Sequence, residues 1–299
     1  MAEAVIPVDL LNPGQVFACL GLVEAAEVLV GDAEGVFDWS DRGVTRFHIR
    51  AAGERSPIVA VLEFLDRAEV FAEVTDGSSN LDAWRSSWGT VRSRPRALGY
   101  PYPEPDSPAT LVCALVAGPD RIEIGHWGEE TKRTQRDNVK FWAGAGGYPG
   151  AALTRDALAL IRGRSQVAAA DPFALSAPQS SSFRLDWRRD YIPLDAGFSL
   201  NSHANMDSVG FPLVELLGVI GLAYARPQRP DARDKLTYVY SVAGRDLTTP
   251  SLWLRPALLR AALGSSALPF PTRQFRMFLG WPGQENQARS ITTVTEETP

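Results

Sequence analysis

The sequence predicts an α+β fold in which antiparallel sheets pack against apolar helices. Helical and strand-like segments follow one another along the 299 residues without the strict βαβ order of a parallel sheet. Alternating runs recur in pairs, joined by short turns that contain glycine, as in β-hairpins. Hydrophobic residues make up 45% of the chain, which is enough for a core and excludes global disorder.

In the first half of the chain, apolar runs at helical spacing alternate with hairpin-like pairs. Asn12 and Pro13 can supply the N-cap and the first turn of the leading helix. The run that follows Pro57 is more typical of a helix than of a strand. Helices are therefore predicted over residues 14–30, 58–74 and 151–162, and hairpin strands over residues 36–39 with 44–50 and 110–117 with 121–127.

The second half repeats this style, with helices opened by proline and strands marked by alternation. Pro256 predicts either a kink or a late start in the last helix. The predicted helices cover residues 211–227 and 251–264, and the predicted extended segments cover residues 183–191, 235–242, 273–281 and 288–297.

This order is compatible with two similar halves, residues 1–165 and 166–299, and also with one continuous domain. The phrases LLNPGQVFACLGLVEAA and VGFPLVELLGVIGLAYA both place a proline ahead of an apolar helix with Leu-Gly and Gly-Leu steps. An internal duplication would explain this likeness, and two unrelated buried helices explain it more simply.

The net charge of -5 is distributed unevenly along the chain. The first 80 residues carry 14 acidic and 5 basic side chains, whereas the rest carry 21 acidic and 25 basic ones. Of the 30 basic residues, 27 are arginines. A GC-rich genome explains this excess, and so does contact with nucleic acid, since the flat guanidinium suits phosphates and stacked bases.

A glycine-rich stretch preceded by basic residues is the first candidate binding site. Four bases within nine residues lead into two aromatic residues and a glycine run, which is typical of a groove that tracks a nucleic-acid backbone and stacks bases. A solvated connector explains the same charges. The run matches neither a dinucleotide fingerprint nor a P-loop, so no nucleotide cofactor is predicted. The candidate residues are Lys132, Arg133, Arg136, Lys140, Trp142, Gly144, Gly146 and Gly147.

Two further clusters mix arginine with aromatic residues. The long loop of residues 76–109 is rich in tryptophan, tyrosine and arginine, and aromatic side chains there indicate a contact surface. Docking on the protein's own core, another subunit and nucleic acid are all compatible with it. The third cluster contains Arg188 and Arg189, and the neighbouring Asp186 and Asp190 are expected to neutralise part of its positive charge. The candidate residues are Arg85, Arg92, Arg94 and Arg96 in the loop, and Arg188 and Arg189 in the third cluster.

The sequence predicts no catalytic or metal-binding constellation. His48, His126 and His203 are scattered, and the two cysteines lie in apolar runs without the spacing of a metal site. No uncharged apolar run approaches the ~18 residues of a membrane-spanning helix, and no signal peptide is recognised. We therefore expect a cytoplasmic protein with reduced thiols, no cofactor and no membrane partner.

Four long phrases of the sequence resemble one known family. They are PVDLLNPGQVFACLGLVEAAEVL, DNVKFWAGAGGYPGAA, DPFALSAPQSSSFRLDWRRDYIPLDAGFS and FRMFLGWPGQENQARSIT. Together they reach from Pro7 to Thr292 and resemble the Csx/Csb-type group from type I-G (formerly I-U) CRISPR–Cas loci, which is regarded as large-subunit-like. The RAMP-type backbone subunits of such complexes use ferredoxin-like folds, and their glycine-rich signature is not evident in this sequence.

The resemblance implies a non-catalytic subunit of a crRNA-guided, Cascade-like surveillance complex in antiviral defence, with crRNA, target DNA and other effector subunits as partners. The acidic first 80 residues are then expected to contact a protein neighbour. Two alternatives stay open. One is a protein-only scaffold within that complex, and the other is a crRNA-processing endoribonuclease with His48 or His126 as general acid or base.

Overall fold

The α+β architecture predicted from the sequence is confirmed by the computed structural model of the protein. The structure describes residues 1–41, 43–77, 91–94, 112–125, 150–179, 182–188, 209–223, 225–231, 233–234, 236–280 and 290–297. Within these ranges, helices and sheets pack around one contiguous cluster of buried apolar side chains.

The described residues contain six α-helices, and four of these begin at a proline. The fixed φ and the missing N–H of proline suit the first helical position, where the N–H has no partner within the helix. The helices are α1 (Pro13–Leu29), α2 (Pro57–Arg67), α3 (Gly150–Ile161), α4 (Ser165–Ala170), α5 (Pro212–Leu222) and α6 (Pro256–Leu263). Of the two interpretations of Pro256, the late helix start is confirmed.

The described strands fall into three sheets, two of them large enough to support the core. The strands are β1 (Ala2–Pro7), β2 (Glu34–Asp38), β3 (Arg46–Ala51), β4 (Glu69–Thr75), β5 (Val91–Arg94), β6 (Val112–Ala117), β7 (Asp120–Ile124), β8 (Ala177–Pro178), β9 (Val209–Gly210), β10 (Thr237–Arg245), β11 (Thr272–Gly280) and β12 (Ser290–Glu297). The short strands β8 and β9 pair only with each other.

The largest sheet joins the two ends of the chain. Its strand order is β1-β3-β2-β10-β11-β12, and all neighbours are antiparallel except the parallel pair of β2 and β10. Helix α1 connects the parallel strands β1 and β2, and β3 lies between them, which is the split β-α-β arrangement of ferredoxin-like units. The sheet combines strands from both sides of residue 165.

A four-stranded sheet with the order β5-β4-β6-β7 follows helix α2. The prediction of one continuous helix over residues 58–74 is wrong in its second part, because α2 ends at Arg67 and strand β4 begins at Glu69. Strand β4 pairs with β6 on one side and β5 on the other. The apolar spacing of so short a segment is compatible with a helix and with a strand. The hydrogen bonds to β5 and β6 favour the strand.

The two predicted hairpins of the first half are confirmed as β2–β3 and β6–β7. Strand β1 has no counterpart in the sequence-based prediction, which began with a helix. This edge strand is defined by its pairing with β3, in which Val5 lies opposite His48. Pairing with a partner more than forty residues away leaves no local sequence signal.

Helices α1 and α5 form the centre of the molecule, and both are buried on nearly all sides. They cross at glycines. A Cβ atom on Gly21 would overlap the carbonyl oxygen of Leu217 and would lie 3.1 Å from the backbone nitrogen of Gly221. A Cβ atom on Gly221 would likewise overlap the carbonyl oxygen of Phe17. The two similar phrases of the sequence therefore form one closely packed helix pair.

We expect the substitutions Gly21→Ala and Gly221→Ala each to lower the free energy of unfolding by roughly 1–3 kcal/mol, because the added methyl group meets backbone that cannot rotate away. At an open helical position the same change would stabilise the protein by about 1 kcal/mol. Chemical denaturation measures the difference. The control is Val28→Ala in the same helix, where the side chain is 53% exposed. Equal stability of Gly21→Ala and Val28→Ala would contradict the close crossing.

Candidate functional site

A buried polar network joins the start of α1 to the segment of residues 182–188. Asn12 is the N-cap of α1: its Oδ1 accepts a hydrogen bond from the Gly14 N–H (3.1 Å), and its Nδ2 donates to Oδ1 of Asp186 (2.8 Å). Both of these polar side chains are fully buried. Because a buried carboxylate is costly without partners, this contact favours one position of the segment against the helix.

Glu215 of helix α5 holds the same segment from another side. Its Oε1 accepts hydrogen bonds from the backbone N–H groups of Leu185 and Asp186, both at 3.0 Å. Gly14 allows the close approach, because a Cβ atom there would lie 2.7 Å from the carbonyl oxygen of Leu185. The sequence predicts an extended segment over residues 183–191, but its described part, residues 183–188, belongs to no strand. The Glu215 carboxylate, and not a neighbouring strand, accepts hydrogen bonds from two of its N–H groups.

Arg188, one of the predicted nucleic-acid contacts, continues this network. Its Nη2 donates to Oδ2 of Asp186 (2.6 Å) and to the carbonyl oxygen of Phe173 (2.8 Å). The guanidinium also lies over the ring of Phe211, 3.7 Å from the ring centroid. Asp186 therefore pairs with the charge of Arg188, as expected from the sequence. The arginine side chain remains 33% exposed, and its Nη1 donates to no group within the described part of the chain.

A cleft of about 320 Å³ opens at the amino-terminal end of α1, next to this network. The buried side chains of Val8, Gln15 and Phe173 line it. Asp9 and Asp171 also line it and are exposed. The described lining thus combines apolar walls, a buried amide and Arg188 with two carboxylates that solvent reaches.

Two of the four phrases that carry the family resemblance meet at this cleft. The first phrase contributes Pro7, Val8, Asp9 and Gln15, and the third contributes Asp171, Phe173, Ala174 and Arg188. Asn12 and Asp186, which hold the phrases together, are 174 positions apart in the chain. Together with Gly43, Val44 and Thr45, these two segments form one site that the sequence alone could not assemble.

A second surface lies on the face of the six-stranded sheet opposite to helices α1 and α2. In β3 the buried Phe47 and Ile49 alternate with the half-buried His48 and Arg50, because successive side chains of a strand point to opposite faces. Trp253 lies on the same outer face, and the guanidinium carbon of Arg50 is 4.1 Å from its ring centroid. An arginine and an indole ring are therefore in cation–π contact outside the core.

Arg245 completes this cluster, and we call Arg50, Arg245 and Trp253 the Trp253 platform. The guanidinium carbon of Arg245 lies 5.6 Å from the centroid of the half-buried indole. Arg50 donates from Nε to Oε2 of Glu34 at 2.7 Å, and Arg245 pairs with Asp38. Arg50 is 32% exposed and keeps other N–H donors for a ligand, whereas Arg245 is 14% exposed and also donates to the carbonyl oxygen of Pro250.

Asp38 links the platform to His48. It accepts a hydrogen bond from Nε of Arg245 (2.8 Å), and the same Oδ2 lies 3.4 Å from Nε2 of His48, whose Nδ1 is 3.0 Å from Oε1 of Glu3. Burial opposes ionisation of Asp38, but hydrogen bonds from Ser40 and Arg245 outweigh it and lower the pKa of Asp38 to about 2. Both ring nitrogens of His48 face carboxylates, which favours a structural role for this residue.

Several acidic side chains of the first 80 residues pair with arginines from the far end of the chain. These ion pairs are Glu24–Arg260, Asp32–Arg255 and Asp38–Arg245. The two residues of each pair are 236, 223 and 207 positions apart in the chain, in that order. The acidic segment is thus partly neutralised within the fold, and its expected contact with a protein neighbour stays a prediction for its other carboxylates.

Three of the predicted nucleic-acid contacts lie within the described residues. Arg92 is exposed in β5, and its guanidinium carbon lies 3.1 Å from the ring centroid of Phe71 in β4. Arg94 lies in the same strand, and Arg188 belongs to the network beside the cleft. The other predicted contacts lie outside the described residues: Arg85, Arg96, Lys132, Arg133, Arg136, Lys140, Trp142, Gly144, Gly146, Gly147 and Arg189.

The sequence-based reasoning missed the Trp253 platform. Trp253 falls in a segment predicted as helix, whereas the structure begins that helix at Pro256 and leaves the tryptophan in the preceding loop. The alternation of β3 indicates that Arg50 points away from the core. No pattern in the sequence, however, indicates that strands from opposite ends of the chain bring Arg50 and Arg245 to one tryptophan.

The described residues give little support to thiol or metal chemistry. Cys19 and Cys113 are buried, and burial raises the pKa of both thiols, to about 12 for Cys113, which disfavours the reactive thiolate. Within the described ranges, histidine, cysteine and acidic side chains form no group of three that could hold a metal ion. Nor does any helix in those ranges have the length and apolar character needed to cross a membrane.

Comparisons with known proteins match the chain to no family, to no curated protein and to no solved structure. The cleft and the Trp253 platform are therefore the observations from which a function can be inferred.

The lowered pKa of Asp38 predicts a loss of stability in acid. Because its pKa is about 2 in the folded protein and 3.8 for an isolated aspartate, its contribution is present above about pH 4 and is lost as the pH falls toward 2. We expect Asp38→Asn to weaken the dependence of unfolding free energy on pH between these values. Urea denaturation across that range measures it. The control is Asp76→Asn, which removes an exposed aspartate. If Asp76→Asn changed the pH dependence of the unfolding free energy as much as Asp38→Asn does, the assignment of this dependence to Asp38 would be contradicted.

Proposed function

We propose that this protein is a non-catalytic subunit of a type I CRISPR–Cas surveillance complex, in which it contacts crRNA or target DNA. In such complexes base pairing reads the sequence, and the proteins hold the nucleic-acid backbones. The four phrases of the sequence support the assignment to this system. The other effector subunits would be its protein partners, and the cytoplasm would be its location.

The Trp253 platform is the observation that carries the nucleic-acid part of this proposal. Single strands are held by aromatic rings on which bases stack and by arginines that meet the phosphates. Sheets in small α+β domains commonly provide such rings on the face that helices leave open. Trp253 lies on a face that no helix of the described residues covers, and the guanidinium carbons of Arg50 and Arg245 are 4.1 and 5.6 Å from its ring centroid.

The split β-α-β order of β1, α1, β2 and β3 gives further support. The RAMP-type subunits of these complexes use ferredoxin-like folds, and this chain contains the first strands of that arrangement in the same order. This is an argument from fold alone, so it supports membership of the complex and not a particular contact.

The basic and aromatic segments 84–102 and 132–150 would extend the binding surface. In this proposal Lys132, Arg133, Arg136 and Lys140 neutralise phosphates and Trp142 stacks on a base. The glycines that follow would let the backbone of the protein approach the strand.

We expect Trp253→Ala to weaken the binding of single-stranded RNA or DNA by about 1–3 kcal/mol, the contribution of one stacked base, or roughly 5- to 150-fold in Kd. Fluorescence anisotropy with labelled repeat RNA and with target-strand DNA would measure the change and show which strand is preferred. Trp253→Phe should retain most of the affinity, because it keeps an aromatic face.

Arg155→Ala is the control and should leave binding unchanged, because it replaces an exposed side chain of α3, which packs against the four-stranded sheet. Unchanged binding by Trp253→Ala would contradict the platform and favour the protein-only scaffold. Cleavage of repeat RNA by the purified protein, lost on changing His48, would contradict the non-catalytic assignment.

Reversal of the four charges at Lys132, Arg133, Arg136 and Lys140 to glutamate should weaken binding and flatten its salt dependence. Each single-strand phosphate contact that is lost lowers the slope of log K against log salt by about 0.7. Titrations at several salt concentrations measure this slope. Substitution of glutamate for Arg67 and Arg155, two exposed arginines on α2 and α3, should leave the slope nearly unchanged. An unchanged slope in the fourfold variant would show that this segment does not bind the strand.

A further inference from the structure

We propose that the cleft at the start of α1 binds an arginine or lysine side chain of a protein partner. This inference concerns a different surface from the Trp253 platform and does not depend on nucleic-acid binding. Its basis is the combination of two exposed carboxylates, the side-chain amide of Gln15 and apolar walls in the described lining.

The buried amide belongs to Gln15, whose side chain lines the cleft and is only 6% exposed. Its Oε1 accepts a hydrogen bond from the Asp9 N–H at 2.8 Å. Because a backbone N–H can only donate, this contact determines which end of the amide is oxygen and which is nitrogen. Nε2 is then the remaining donor, and it bonds to no group among the described residues. A backbone carbonyl of a segment bound in the cleft would accept a hydrogen bond from it.

The two carboxylates determine the charge of the ligand. Asp9 and Asp171 line the cleft and are exposed, and in the described structure the side chain of Asp171 accepts no hydrogen bond. Asp9 uses Oδ1 to accept from the Leu11 N–H at 2.9 Å, so its other oxygen is left for a ligand. Among the described lining residues Arg188 is the one cation, and it already pairs with the buried Asp186.

The described lining therefore favours a cationic ligand over a phosphate. Its apolar residues include Val8 and Phe173, which suit the aliphatic stem of arginine or lysine. A volume of about 320 Å³ is enough for one such side chain together with the backbone of its neighbours. A short basic segment of a protein meets all of these conditions.

Nuclear magnetic resonance with the full chain can test this inference. The probe is the blocked tripeptide acetyl-Gly-Arg-Gly-amide, and its control carries citrulline, the uncharged analogue, in place of arginine. The side-chain amide signal of Gln15 would be identified with Gln15→Glu, which keeps an acceptor for the Asp9 N–H and lacks the amide protons. We expect this signal to shift, and the arginine peptide to bind roughly tenfold more tightly than the citrulline peptide, through its two ion pairs.

Asp9→Asn and Asp171→Asn should each weaken the binding of the arginine peptide about two- to fivefold. Glu54→Gln, which removes an exposed acidic charge from the turn after β3, should leave its affinity unchanged. Equal affinity of the two peptides for the wild-type protein, or an unshifted Gln15 signal, would overturn the proposal. So would a shift of that signal caused by an RNA oligonucleotide and not by the peptide. No nucleic acid enters the peptide measurement, so its failure would leave the Trp253 platform untouched.

Discussion

The close crossing of helices α1 and α5 is the constraint on which the rest of the structure depends. Gly21 and Gly221 let the two backbones approach until a single Cβ would overlap the opposite carbonyl oxygen. This approach brings Asn12 of α1 and Glu215 of α5 close enough to hold the backbone and side chain of Asp186 between them. The position of this segment in turn places Arg188 beside the cleft, so a packing contact without chemistry of its own determines where the polar groups lie.

Long-range ion pairs distribute the charge of the molecule. The acidic start of the chain and its arginine-rich remainder look like two different surfaces in the sequence, but Glu24, Asp32 and Asp38 each pair with an arginine more than two hundred positions away. The net charge of a segment is therefore a poor guide to the charge of the surface it forms. Within the described ranges, two local surfaces can take ligands: the cleft at the start of α1, and the arginines around Trp253 on the outer face of the sheet.

Much of the secondary structure could be predicted, because its signals are local. Proline followed by an apolar run indicated α1 and α5, and alternation indicated the hairpin of β2 and β3 and the strand β10. The errors occur where tertiary pairing decides. Residues Glu69–Thr75 have apolar residues compatible with either structure and form a strand because β5 and β6 flank them, and β1 is a strand because β3 is beside it.

The sequence by itself determined the α+β class, the two central apolar helices and the surplus of arginine, since these follow from composition and periodicity. It also singled out Arg188 and its neutralisation by Asp186, which are two residues apart. Only the tertiary structure decided that Asn12 lies against Asp186 and that Arg50 and Arg245 meet at Trp253. The physical reason is that a local pattern reports whether a side chain is buried, whereas the identity of a distant partner depends on how helices and strands pack.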